Sequence, residues 1–222
     1  IDAVIKLENI RRKDENLKEI SFDTIAASGP NAALPHYRVN YSSNRTIKKG
    51  EVLLVDSGGQ YLDGTTDITR TIAIGTQSKE VKDAFTLVLK GLIAISKLKF
   101  PCGISGRDID AFARAPLWQI GQDYAHGTGH GVGHYLSVHE GPQRISKFSG
   151  VEFRAGMIVS NEPGFYKEGK FGIRIENLIL VKGSGLKTDN PFLEFETLTF
   201  VPIDRRLISI NLLNSYELKW IN

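Results

Sequence analysis

The sequence predicts one domain of mixed α and β, and three observations carry that reading. At 222 residues the chain is long enough for a single core to bury most of its apolar side chains. Two long segments have helical periodicity, while short apolar runs bounded by Gly, Pro and polar turns read as strands. No linker rich in proline or serine and no repeat of 20 to 50 residues divides the chain, so residues 1–222 read as one unit.

Taken in order, Ile1, Val4, Ile5, Leu7 and Ile10 sit at near-helical spacing among charges and predict an amphipathic helix to about Lys13. Ser21 to Ala27 reads as a strand, followed by a loop through Gly29, Pro30 and Asn31 that carries His36. After a turn at Lys48, Lys49 and Gly50, the run Val52 to Val55 reads as a buried strand delivering Asp56 at its end. Gly58 and Gly59 break that pattern, and a second strand follows from Asp67 to Ile74. Helices are predicted over Glu80 to Lys97 and Gly106 to Ile120, the latter entered by a turn through Pro101, Gly103 and Ser105. Strands are expected at Met157 to Ser160, Gly172 to Val181 and Phe195 to Val201, with a short helix or extension closing the chain.

Composition removes several classes. Hydrophobic residues at 41% and charged residues at 24% are globular values, which excludes collagen-like, coiled-coil and disordered readings. A net charge of only +3, with no run of like charge, gives no footprint for nucleic acid. Cys102 is the only cysteine, so an internal disulfide or a multi-cysteine metal site is impossible and a reducing compartment fits. No apolar run reaches the roughly 18 to 20 residues that span a bilayer, since Lys90 and Lys97 interrupt the most apolar stretch. Ile1 is first and Met157 is the only methionine, so the natural start is expected upstream.

Two sets of residues point to chemistry. His126, His130 and His134 recur every four residues, the spacing of metal ligands on one helical face. Gly127, Gly129, Gly131 and Gly133 lie between them, and each glycine costs about 1 kcal/mol in a helix interior. An extended or looped backbone is therefore expected, passing close to a ligand, with even-numbered side chains on one side. The acids are Asp56 at a strand end, Asp67 in the next strand, Glu162 before a Pro-Gly turn, and Glu176 inside an apolar strand. Glu176, flanked by Ile173, Ile175, Leu178 and Leu180, is a costly buried charge unless a cation neutralises it, and Arg174 is one candidate.

In sequence order, VDSGGQYLDGTTDITRT, HGTGHGVGHYLSVHEGP, SNEPGFY and GIRIEN resemble the motifs of the pita-bread metallopeptidases. With ARAPLW and PFLEFETLTFVPI, the chain is most similar to the aminopeptidase P family, in its cytosolic type. The resemblance covers nearly the whole chain. It implies an α+β pita-bread fold, in which helices cover a curved, mostly antiparallel sheet, and a single catalytic domain over residues 1–222, with one or two amino-terminal domains of the full protein absent.

The same resemblance implies that Asp56, Asp67, His130, Glu162 and Glu176 bind two divalent metal ions. On that pattern Asp56 chelates one ion, His130 and Glu162 bind the other, and Asp67 and Glu176 bridge them. Four carboxylates then balance two divalent cations, apart from a bridging hydroxide. The implied activity is release of the first residue from peptides with proline in second place. Glu162 also moves the proton, and His36, His126 and His139 act in the pocket as catalytic residues without binding metal. Arg174 and Tyr166 are candidate supports of the ligands, while His134, Trp118, Trp220 and Cys102 receive no role. Arg70 is expected to make a structural ion pair near Asp67.

One imidazole with four carboxylates is a hard donor set, compatible with zinc, cobalt or iron(II); the family resemblance favours manganese. The partners implied are Xaa-Pro peptides, with no nucleic acid or membrane, in a cytoplasmic protein that is a homodimer at full length. The alternatives are a prolidase acting on Xaa-Pro dipeptides, or a pita-bread module that binds peptides without catalysis. Methionine aminopeptidase and creatinase-like proteins use related scaffolds, but their motifs or missing ligands fit less well.

Overall fold

A computed structural model describes residues 1–221. It opens with α1 (Asp2–Arg11), β1 (Leu17–Ile20) and β2 (Ile25–Ser28), after which a 3₁₀ turn at Gly29–Ala33 leads into a long loop. β3 (Val52–Ser57), β4 (Gly59–Tyr61), β5 (Gly64–Thr65) and β6 (Ile68–Ala73) come next, then α2 (Lys79–Ser96), β7 (Lys99–Pro101) and α3 (Gly106–Trp118). The second half runs through β8 (Gly129–His130), β9 (Arg144–Ile145), β10 (Ile158–Asn161), β11 (Gly164–Lys167), β12 (Phe171–Arg174), β13 (Asn177–Gly183) and β14 (Phe192–Thr197). Two further 3₁₀ turns and α4 (Ser215–Ile221) end the described chain.

Every strand pairing is antiparallel. β2, β3 and β6 form one sheet, and β10, β13, β14 and β7 form another in that order. In the first, Asp56 lies opposite Ile25 on one side and Thr69 on the other.

α2 is the hub because its sequence carries apolar residues almost all round. Val88, Leu89, Leu92 and Ile95 are fully buried, each burial worth about 1.5–3 kcal/mol. Ser78 caps its first turn by accepting from the Val81 N–H. α3 starts with a reciprocal capping box between Ser105 and Asp108. The two helices touch at Gly91, where a Cβ would lie 2.2 Å from the Ala113 carbonyl oxygen, so only glycine allows this approach. One core joins α2 to β11, β12 and the C-terminal turns, and a second joins α3 to the four-stranded sheet through Ile109, Val159, Ile179 and Phe195.

Several boundaries differ from the sequence reading. Gly172 to Val181 is two strands rather than one, because β12 pairs with β11 while β13 pairs with β10 and β14. The chain changes sheets at Ile175 and Glu176, where the Glu176 N–H bonds to the Thr69 carbonyl. The strand expected at Ser21 to Ala27 is Ile25–Ser28, preceded by β1, and the last strand is Phe192–Thr197. Gly59 opens a strand instead of ending the pattern, since β4 pairs with β1. α1 buries no residue, and Ile5 and Ile10 remain more than half exposed. Among the described residues no helix is long and apolar enough to cross a membrane.

Candidate active site

The five candidate ligands converge from both halves of the chain on a cavity of about 640 Å³. Asp56 sits within β3, and Asp67 lies one residue before β6. His130 ends β8, Glu162 follows β10, and Glu176 occupies the crossing between β12 and β13. All five line the cavity, together with His36, His126, His139 and Arg174.

The glycine-rich segment is looped, with only Gly129–His130 in a strand. A Cβ on Gly129 would stand 1.9 Å from the Ser160 carbonyl oxygen, so this glycine lets the loop lie directly on β10. Side chains at even positions do not share one side. His126 and His130 face the cavity, Thr128 is completely buried away from it, and His134 is exposed outside it. The single two-residue strand is too short to impose a period of two across the loop.

His130 is prepared as a ligand. Its Nδ1 donates to the Gly131 carbonyl at 2.9 Å, which leaves the Nε2 lone pair free in the neutral ring. That Nε2 lies 3.4 Å from Asp67 Oδ2 and 3.3 Å from Glu162 Oε1. One ligand atom from each of Asp67, His130 and Glu176 falls within 4.8 Å of the others. Ser160 couples two of the five, since its Oγ accepts from the His130 N–H at 2.9 Å and donates to Glu162 Oε1 at 3.0 Å.

The carboxylates are under-neutralised. Burial raises Asp67 well above the usual carboxylate range, and the charges of Asp56 and Glu162 push it further. Burial likewise raises Glu176 strongly, helped by Asp67, Glu162 and Asp56. Glu162 is raised by burial against the opposing pull of His130 and Arg174. Among the described residues four buried side-chain N or O atoms lack any hydrogen-bond partner, and two of them are Asp56 Oδ1 and Glu176 Oε1. Orphaned buried carboxylate oxygens beside a free imidazole nitrogen fit divalent cations, and the oxygen-rich donor set suits hard ones.

Among the described residues Arg174 is the one buried arginine that lines the cavity, and it serves Asp56 rather than Glu176. Its Nη2 donates to Asp56 Oδ2 at 2.6 Å and its Nη1 to the Tyr166 hydroxyl at 2.8 Å. Glu176 Oε2 instead accepts from Thr69 Oγ1 at 2.8 Å. His126 donates through Nδ1 to the Gly127 carbonyl, so Nε2 accepts from the Tyr166 hydroxyl at 2.8 Å. Burial holds His126 down at about 4 and Tyr166 up at about 12, and both are neutral at pH 7. The His139 ring lies 4.0 Å from that of His130 at the cavity rim, and His36 is exposed on its lip.

Among the described residues Arg70 has no ion-pair partner. Its guanidinium donates to the carbonyls of Thr69, Glu176 and Val201 and to Asn177 Oδ1, tying the strand of Asp67 to the crossing that carries Glu176. Trp118 is half exposed, Trp220 packs on the α2 core, and Cys102 is exposed, all outside the cavity. Ser160 and Thr69 were not among the sequence candidates. Their only signal was position, each two residues from a candidate acid within a strand.

Comparison with known proteins agrees with this geometry. The model of metallopeptidase family M24 matches residues 1–183, and that of the C-terminal region of the same peptidases matches residues 191–222. The chain belongs to metallopeptidase family M24, and its fold is the pita-bread fold of those peptidases. Within the family it is 52% identical to a probable Xaa-Pro aminopeptidase P of Laccaria bicolor, over 98% of this chain and 35% of that protein. It is 51% identical to one from Aspergillus fumigatus, over 100% and 35%. The solved X-prolyl aminopeptidase of Caenorhabditis elegans, described as a cytosolic enzyme with a di-nuclear active site, superposes with a TM-score of 0.95. It is 44% identical and is matched over 99% of this chain and 36% of its own. A prolidase from Pyrococcus furiosus superposes at 0.77 with 30% identity, over 90% and 55%. The chain thus spans about a third of the length of the curated relatives.

Proposed function

We propose that residues 1–222 are one catalytic domain of a metal-dependent aminopeptidase that releases the first residue of peptides whose second residue is proline. The observation that carries this reading is that the orphaned oxygens of Asp56 and Glu176 and the free Nε2 of His130 belong to residues lining one cavity. Asp56, Asp67, His130, Glu162 and Glu176 would hold two divalent ions, manganese in preference to zinc, cobalt or iron(II). Such ions would polarise the scissile carbonyl and would bring the pKa of water close to neutrality.

The chain's own residues supply positioning and proton transfer. Glu162 already accepts from Ser160 at Oε1, which leaves Oε2 to take and return a proton. Tyr166, neutral and anchored by Arg174, fixes the His126 ring, while His36 and His139 stand at the lip where a peptide enters. A proline nitrogen is tertiary and has no N–H, so cleavage depends on delivering a proton to it from this ring of groups.

Similarity to aminopeptidases P at 51–52% against 30% to the prolidase supports the longer-peptide reading over dipeptide cleavage. A cytoplasmic location draws support from the cytosolic neighbour. A homodimer of the full-length protein belongs to the same reading; α3 leaves Phe112 and Trp118 exposed, with Ile120 exposed just past its end. The test is release of the first residue from matched Xaa-Pro-Yaa, Xaa-Ala-Yaa and Xaa-Pro peptides after manganese loading, with Glu176→Ala as control. Proline-selective cleavage of the tripeptide that Glu176→Ala abolishes is expected. Preference for the dipeptide would favour prolidase, and peptide binding without cleavage or metal would favour the binding module.

A further inference from the structure

A largely buried polar network of Asp110, Arg114, Asp123, Tyr124 and Thr128 lies behind the loop that carries His126 and His130, and none of these five lines the cavity. Arg114 and Asp110 on α3 are each 2% exposed and form an ion pair at 2.7 Å. Arg114 also donates to Asp123 Oδ1 at 2.8 Å, the Tyr124 carbonyl at 2.7 Å and the His126 carbonyl at 2.8 Å. The second Asp110 oxygen accepts from the Thr128 hydroxyl at 2.7 Å, and that hydroxyl accepts from Tyr124. The network then reaches across the cavity wall, because the Thr128 carbonyl accepts from the Glu162 N–H at 2.7 Å.

We infer that Arg114, Asp110 and Thr128 are positioning residues that set the spacing between His130 and Glu162, and with it the affinity of the metal site. The inference rests on the metallopeptidase reading above. A buried ion pair is a poor source of net stability, since well-packed apolar residues often replace one without loss. What an apolar trio could not do is grip one loop at the Tyr124 and His126 carbonyls and the Thr128 side chain while leaving the Thr128 carbonyl free for Glu162. Arg114 does this through the planar fork of its guanidinium, which a lysine ammonium cannot reproduce. Groups that orient metal ligands commonly change metal affinity by about 10- to 100-fold when replaced.

The test is calorimetric titration of manganese into the metal-free protein, with thermal melts of the same samples, for wild type, Arg114→Lys, Thr128→Val and Thr128→Ser. Thr86→Val is the control, because Thr86 in α2 is equally buried and, among the described residues, its hydroxyl bonds only to the Lys82 carbonyl and the Ser209 N–H. We expect Arg114→Lys and Thr128→Val to bind manganese about 10- to 100-fold more weakly. Thr128→Ser should restore binding, and Thr86→Val should melt earlier with unchanged affinity. If Arg114→Lys does not fold, the Thr128 pair decides. Wild-type binding that Thr128→Val leaves intact overturns this inference alone, whereas a wild-type chain that binds no manganese overturns the metallopeptidase reading together with it.

Discussion

The protein buries two acid clusters within one loop of each other, and they are built to opposite ends. Asp110 is enclosed with Arg114 and Thr128, so that both of its oxygens accept a hydrogen bond. Among the described residues Asp56, Asp67, Glu162 and Glu176 share a single buried arginine in their ion pairs, and the fully buried Asp56 Oδ1 and Glu176 Oε1 have no hydrogen-bond partner. Burial alone therefore does not mark a functional acid. An internally neutralised pair supports structure, whereas an acid set short of positive charge is stable only when cations come from outside.

The strongest way to break this contrast is to remove one acid from the open cluster. Glu176→Ala should lower peptidase activity by about 1000-fold or more in an initial-rate assay, since metal-based charge stabilisation is worth several kcal/mol. Removing the acid of the closed cluster should act on stability, besides loosening the loop that carries His130. Asp110→Ala leaves the buried Arg114 with only the partly exposed Asp123 as its ion-pair partner, and urea unfolding of the metal-free protein should show a loss of about 1.5–3 kcal/mol. Retention of full stability would mean that the two clusters do not differ as described.

A smaller effect comes from the missing cations themselves. Manganese at 100 times its dissociation constant should stabilise the folded chain by about 2.7 kcal/mol per site, read as a shift in melting, and a chelator should reverse it. Wild type should show the full shift, Asp110→Ala should need about 10- to 100-fold more metal to reach it, and Glu176→Ala should lose most of it.

The smallest expected effect is a pair of opposite pH slopes without metal. Asp67, Glu162 and Glu176 are raised in the folded state, so the fold binds more protons than the unfolded chain. Their contribution is present below about pH 4 and is lost as pH rises through the folded values. Asp123 is different: although burial would raise it, hydrogen bonds from Arg114 and the Tyr124 N–H hold it at about 2. Its contribution is present above about pH 4 and disappears as pH falls toward 2. In melts across pH, Glu176→Gln should gain on wild type as pH rises, and Asp123→Asn should lose on it. Parallel curves would contradict both assignments.

Much of the open cluster was legible because its residues are anomalous where they stand. Glu176 among Ile173, Ile175 and Leu178, and glycines alternating with histidines from His126, have no easy structural explanation in a sequence. Both long helices were equally legible, since capping and periodicity act locally. The sheet change at Ile175 and Glu176 was not, because both strands are apolar and only the tertiary partners of β11 and β10 separate them. β11 was hidden in SNEPGFY, which reads as a turn. The closed cluster was hidden more thoroughly. Asp110 and Arg114 are four apart on a helix, the pattern of a solvated surface pair, and only the apolar neighbours Ile109, Ala113 and Leu117 hint that this edge of α3 faces inward.

The central claim is that the open cluster is completed by two divalent cations, and counting them tests it most directly. Equilibrium dialysis of the metal-free chain against manganese, followed by elemental analysis, should give two ions per chain for the wild type and fewer for Glu176→Gln. No bound manganese, or two ions retained when Glu176 is replaced, would contradict it.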